Sequence, residues 1–194
     1  MTSERGAALI DVIAASALSL IMAAIAVPVV GGTLDRERTI VGAQYLAGQL
    51  LRARLESLKR AQAVAVRLDV VDGRTWCRLY TDGNGNGVLQ RDIDRGVDPP
   101  LGPGVAIDQE AREVSLRINQ PITDVTGVAS LQPGDDPLRI GNSSLVVFSP
   151  VGSATSGTMY VAAPRGPQLA LRIFGATGRV RVLMFDASTR QWHP

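Results

Sequence analysis

The chain has 194 residues, 20 basic and 18 acidic side chains, and a formal net charge of +2, which excludes a whole-molecule electrostatic binder of nucleic acid. Cys77 is the only cysteine, so no intramolecular disulfide can form. With His193 the only histidine, no His-based triad has a supporting set and no Cys/His metal cluster exists; no enzyme is expected.

The chain opens with a polar leader, Met1 to Gly6 (MTSERG), followed at once by an apolar run from Ala7 to Val30 whose only charge is Asp11. At 1.5 Å per residue such a helix is roughly 36 Å long, enough to cross a hydrocarbon core of about 30 Å. A secretory signal peptide fits poorly, because its apolar region is shorter and ends at a small-residue cleavage site. An ionised carboxylate at membrane depth costs about 2.5 to 3.5 kcal/mol even on the lenient insertion scale, so Asp11 calls for a partner or a place among headgroups. Arg5 before the run faces Arg36 and Arg38 beyond it, and charge does not fix an orientation.

Gly31-Gly32 is expected to loosen the helix, since each Gly costs about 1 kcal/mol relative to Ala. A helical period then resumes from Asp35 to Gln62, with Val41, Tyr45, Gly48, Leu51, Leu55, Leu58 and Gln62 at spacings of three and four. That stripe is the expected spine for a sheet, and Arg36, Arg38, Arg52, Lys59 and Arg60 lie mainly off it. From Ala63 the period changes to two. Strands are predicted at Ala63 to Val71, Arg74 to Tyr80, Glu113 to Ile118, Ser144 to Phe148, Thr158 to Ala162, Gln168 to Phe174 and Arg179 to Phe185. Gly, Pro, Asn and Asp clusters separate them, and the stretch from Asn119 to Asn142 reads as a long loop. No crossover helices intervene. The expected fold is therefore α+β, a long amino-terminal helix packed on antiparallel sheets in a two-sheet or sandwich-like head.

Two segments of the head could bind something. Asp82-Gly-Asn84-Gly-Asn86-Gly matches the opening of a calcium loop, with oxygen ligands at alternate positions. Ile93 stands at the twelfth position, where a bidentate Glu belongs, and the other reading is a hairpin turn after the Tyr80 strand. In Gly178-Arg179-Val180-Arg181, alternation puts Arg179 and Arg181 on one strand face, where two guanidinium forks could span neighbouring phosphates. The other reading is a solvated strand face after a glycine turn. From Tyr160 to the end, five arginines face one acid, Asp186. Trp76 and Trp192 are expected to serve packing.

A Gly ending a short charged leader, then an apolar stretch with an acid as its fifth residue, resembles the class III signal of type IV pilins and type II secretion pseudopilins. LYTDGNGNGVLQRDID after a strand is similar to the head domains of type II secretion pseudopilin H and FimT-type minor pilins. So are Phe148-Ser-Pro-x-Gly152, then Gly157-Thr158, then Thr177-Gly178-Arg179. Ala7 stands where Phe or Met is usual and Asp11 where Glu is usual. The resemblance implies cleavage by a prepilin peptidase between Gly6 and Ala7, methylation of Ala7, and pairing of Asp11 with the terminal amine of a neighbouring subunit. It divides the chain into a leader (1–6), a transmembrane and filament helix (7–30), an amphipathic helix (31–62) and a β-rich head (63–194). It implies a single-pass protein of the bacterial inner membrane, head in the periplasm, that joins other pseudopilins or pilins without a cofactor. The function so implied is a minor pseudopilin of type II secretion. One alternative is a FimT-like minor pilin that binds DNA through Arg179 and Arg181, and another is an anchored β domain that never assembles.

Overall fold

The computed structural model describes the backbone of residues 3–141 and 143–194; the side chains at 3–10, 23 and 25–30 lie outside the described ones. The chain divides into two compact units, Met1–Leu34 and Asp35–Pro194. Helix α1 (Ser3–Arg60) contains Gly31 and Gly32 without interruption, so the expected loosening at these glycines is not found. The cost of two glycines is small against a helix of 58 residues.

In the first unit every side chain from 11 to 22 is exposed, including Val12, Ile13, Leu18, Leu20, Ile21 and Met22. The hydroxyls of Ser16 and Ser19 donate to the carbonyls of Val12 (2.7 Å) and Ala15 (2.8 Å), which removes their need for an outside partner. Among the described residues no helix is long and apolar enough to cross a membrane. Much of the apolar run falls on side chains outside that description, at 7–10, 23 and 25–30.

The second unit is α+β, and its sheets are antiparallel. After α1 come β1 (Val64–Val71), β2 (Arg74–Thr81), α2 (Gln90–Asp94), β3 (Val105–Ala106), α3 (Ile107–Glu110) and β4 (Ser115–Leu116). The remaining strands are β5 (Ile122–Thr123), β6 (Ser130–Leu131), β7 (Leu138–Arg139), β8 (Leu145–Phe148), β9 (Gly157–Ala162), β10 (Leu169–Phe174), β11 (Arg179–Asp186) and β12 (Gln191–His193). One sheet has the order β3-β2-β1-β8, a second β12-β11-β10-β9-β4 with β7 also on β9, and β5-β6 form a small pair. Alternation places Val64, Val66 and Leu68 of β1 in one core with Leu169, Leu171 and Ile173 of β10 and Ala43, Leu46, Leu50 and Ala53 of α1. The two larger sheets and the helix thus share a single interior.

All seven expected strands occur, with changed lengths. The strand expected from Glu113 is the most reduced, because Glu113 has a φ of +65, which turns the chain before pairing begins at Ser115. The stretch 119–142 is not simply a loop: it carries β5, β6 and β7. Ile122 and Leu131 are buried with Ile118 against Tyr160, Ala170 and Phe185, so this segment covers a face of the second sheet. The Asp124 carboxylate closes the β5–β6 turn by accepting N–H groups of Val128 (2.9 Å) and Ala129 (3.2 Å). Burial pushes that carboxyl's pKa up, but these bonds and the Thr126 hydroxyl outweigh it and hold the group below the usual range.

The buried face of α1 is not the expected one. Val41, Leu51, Leu55 and Leu58 are 45%, 52%, 56% and 47% exposed. The face against the sheets is Thr39, Gly42, Ala43, Leu46, Leu50, Ala53 and Ser57. Small residues decide this, for they let the backbone approach. A Cβ on Gly42 would lie 2.6 Å from Val114 Cγ1, so no larger side chain fits there. Two hydroxyls fasten the same face. Thr39 Oγ1 donates to Asp35 O (2.6 Å) and accepts from Ala163 N–H (3.1 Å), and Ser57 Oγ donates to Arg54 O (2.8 Å) and Ser149 O (3.3 Å).

Candidate functional site

Gly6 and Ala7 lie in the helical backbone of α1, their side chains outside the described ones. Asp11 is exposed on α1 and has no hydrogen-bond or ion-pair partner among the described residues. Its described neighbours from Val12 to Met22 are exposed as well.

Arg179 and Arg181 alternate on β11, opposite Phe174 and Arg172 of β10, and both are exposed. Their guanidinium groups part company. Arg181 lies over the Phe174 ring, 5.7 Å from its centroid, a cation–π placement. Arg179 instead lines a cleft of about 340 Å³ with Val180, Gly178 and four residues of α1: Ala47, Gly48, Leu51 and Arg54. Gly178 makes this cleft. Its φ is +58, and a Cβ there would lie 2.8 Å from the Gly152 carbonyl oxygen and 3.4 Å from Arg54 Nε, so only glycine lets the turn settle on the helix.

Arg54 Nε is buried and has no hydrogen-bond partner. Leaving such a donor unpaired costs about 1 to 3 kcal/mol. Neither Arg54 nor Arg179 has a carboxylate partner among the described residues. The surroundings explain why: α1 carries no acid from residue 39 to 55, and the chain none between Asp136 and Asp186. The cleft is an acid-free, half-apolar hollow with two unneutralised guanidinium groups. Arg54 was not legible as part of it, because its approach to Gly178 depends on tertiary packing and leaves no sequence signal.

The Asp82 loop is held together from within. Asp82 accepts from the N–H groups of Asn84 (3.1 Å), Gly85 (2.7 Å) and Gly87 (2.7 Å), and buried Asp98 from those of Gly83 and Leu89 (3.0 Å each). Asn84 Oδ1 accepts from Asn86 N–H, and the Asn86 amide donates to Asp92 (3.1 Å each). The candidate calcium oxygens of Asp82 and Asn84 thus already accept backbone protons. Among the described residues no group of three or more His, Cys, Asp or Glu side chains is placed to hold a metal ion. Nor is this a hairpin turn: the loop leads into α2, and the β2 edge beyond it is met by Val105–Ala106 of β3.

Trp192 packs on Phe185 and Tyr160 with ring centroids 5.1 and 5.8 Å away, and its indole N–H donates to Thr123 O (2.8 Å). Trp76 lies under Arg74. Burial pushes the Cys77 thiol up to about 12, which keeps it protonated and unreactive at neutral pH.

No family model, curated protein or solved structure matches the chain.

Proposed function

We propose that this chain is a minor pseudopilin, a structural subunit of a type II secretion pseudopilus matured by prepilin peptidase. The observation that carries the reading is the arrangement of the amino terminus: Gly6 closes a polar leader, and an apolar run with Asp11 as its sole charge comes directly after it. A helix that is apolar all round and exposed all round, as at 12–22, is stable only when lipid or other helices cover it. In this reading the inner membrane and neighbouring subunits do so in turn. The Asp11 carboxylate then meets the amino group freed at Ala7 of an adjacent copy or pilin, which offsets its cost in hydrocarbon. The head needs no cofactor and carries out no reaction; its task is to be held in a filament.

The test is intact-mass measurement after expression with and without the peptidase. Loss of residues 1–6 and gain of one methyl group are expected, and Gly6→Leu should block both. A full-length, unmethylated product in the presence of active peptidase would overturn the reading in favour of an anchored domain that never assembles.

A second reading, a FimT-like minor pilin that binds DNA, is favoured by one observation: Arg179 and Arg181 stand on an acid-free part of the head. Retardation of duplex DNA that weakens steeply with salt and disappears in Arg179→Ala/Arg181→Ala would favour it.

A further inference from the structure

Strand alternation collects two aromatic side chains and an unpaired guanidinium on the outer face of the first sheet. Pairing of β1 with β2 sets Asp69 beside Trp76, Arg67 beside Arg78 and Ala65 beside Tyr80, on the side away from the core residues Leu68, Cys77 and Leu79. Asp69, Val71, Trp76, Arg78, Tyr80 and Gly104 line a hollow of about 360 Å³ there, at the small end of ligand pockets. The charges of this face balance. Arg67 bonds Asp69 (2.9 Å) and Asp94 (3.1 Å), and Arg74 bonds Asp108 (2.8 Å), so with Arg78 three cations stand against three acids.

Four polar ends on the hollow are unpaired. Asp69 engages Arg67 through Oδ1 alone, and the Trp76 indole N–H and the Arg78 guanidinium meet no acceptor among the described residues. The Tyr80 hydroxyl is unpaired without being buried, while its ring is held in a cluster with Ala65 and Leu145. Arg78 is held as well. A Cβ on Gly104 would lie 2.8 Å from its Nε and 3.0 Å from its Nη2, so the guanidinium rests against backbone that carries no side chain to lift it away. Arg74 lies over the Trp76 ring, with Cζ 5.6 Å from the centroid, but it covers one face only, and Trp76 stays partly exposed.

We propose that this hollow binds a neutral sugar of one or two pyranose rings, with an apolar C–H face on Trp76 and hydroxyls on Asp69, Arg78 and Tyr80. A hydroxyl both donates and accepts, which suits a carboxylate that accepts, a guanidinium and an indole that donate, and a phenol that does both. Ligands of one sign gain little: an anion drawn to Arg78 meets Asp69, and a cation drawn to Asp69 meets Arg78. A nucleobase would look for a second ring face, and the Tyr80 ring is already packed. Trp76 and Tyr80 stand about 13 Å apart along the strand, which leaves room for two sugar rings. None of these residues belongs to the leader or to α1, so the site does not rest on the pseudopilin reading.

The test is titration of the full-length chain with cellobiose, maltose and N,N′-diacetylchitobiose, in a phosphocholine detergent so that no sugar headgroup competes. The Trp76 indole N–H signal should shift saturably with at least one of them, while that of Trp192, bonded to Thr123, stays still. Trp76→Leu removes the ring and Gly104→Val displaces Arg78; each should weaken binding at least about tenfold, read from the Tyr80 amide signal. Trp76→Tyr should retain most of it, and a thermal melt of each variant checks folding. No saturable shift with any of the three sugars, or binding that both Trp76→Leu and Gly104→Val leave unchanged, overturns the proposal. Inorganic phosphate or oligothymidylate shifting the Trp76 signal where the sugars do not overturns it in favour of an anion site. Intact mass after peptidase treatment is independent of all these outcomes, so failure here and failure of the pseudopilin reading remain distinct.

Discussion

Between Thr39 and Leu58 the two faces of α1 are made of opposite materials. One holds Thr39, Gly42, Ala43, Leu46, Leu50, Ala53 and Ser57 and is buried against both sheets; the other holds Val41, Leu51, Leu55 and Leu58 and is about half exposed. Apolar content does not distinguish them, since the exposed face is at least as rich in large side chains. Size and hydrogen bonding do. Close approach of the helix allows Leu46 and Leu50 to interdigitate with strand residues while Gly42 and Ala43 let the backbone sit down, and the Thr39 hydroxyl replaces a strand partner for Ala163. The leucines on the outer side are left for contacts beyond this unit.

The largest expected effect contrasts Leu50 with Leu55. Leu50 is 1% exposed, so Leu50→Ala should destabilise the fold by about 2 to 5 kcal/mol, through lost burial and the cavity left behind. Leu55→Ala should change it by no more than about 0.5 kcal/mol. Urea midpoints of the two variants decide the matter, and equal losses would show the face assignment to be wrong.

The next contrast uses two glycines of the same helix. Gly42→Ala drives a methyl to 2.6 Å from Val114 Cγ1 and should cost about 1 to 3 kcal/mol. At Gly48 nothing lies within 4 Å of the added carbon, so Gly48→Ala should stabilise by up to about 1 kcal/mol. Opposite signs in thermal melts are the expected outcome; a stabilising Gly42→Ala would break the close-approach account.

Thr39→Val keeps the shape and removes the acceptor for Ala163 N–H, leaving a buried donor unpaired at about 1 to 3 kcal/mol. Thr39→Ser should recover most of that. If Val and Ser behave alike, the hydroxyl is not what fastens this face.

These contrasts also explain what could be read in the residues alone. The long strands were legible because each carries a stretch of apolar–charged alternation, Val66–Val70 in β1 and Arg179–Val182 in β11, and the antiparallel α+β class follows from the lack of helical crossovers. The inner face of α1 was not, because a count of large apolar residues selects Val41, Leu51, Leu55 and Leu58 and passes over Gly42, Ala43 and Thr39. Two-residue strands such as Ile122–Thr123 and Ser130–Leu131 are too short to show a period and rely on Asp124 to close their turn. Of the site residues, Arg179 was visible through its Gly-Arg setting. Arg54 was not, since its nearness to Gly178 comes from the packing of that turn against α1 and not from any sequence spacing.

The smallest effect separates surfaces held by packing from one held by a charge. α1 has no acid from 39 to 55, so acidification should leave both of its faces there unchanged. At the far end of β11, the Ser188 hydroxyl (2.7 Å) and then the Ser188 N–H (2.8 Å) hold the Asp186 carboxyl down at about 2 from its usual 3.8. A depressed value means that the folded state prefers the ionised form. The contribution is therefore complete above about pH 4 and is lost as pH falls towards 2. Asp186 is partly exposed at the end of β11, and the change is local rather than global. In amide spectra recorded from pH 5 to pH 2, Ser188 and the β11–β12 pair should shift while residues 43–53 stay still, and Asp186→Asn should abolish the shift at Ser188. Movement of the α1 amides over the same range would show that charge, not side-chain size, fixes which face of the helix is buried.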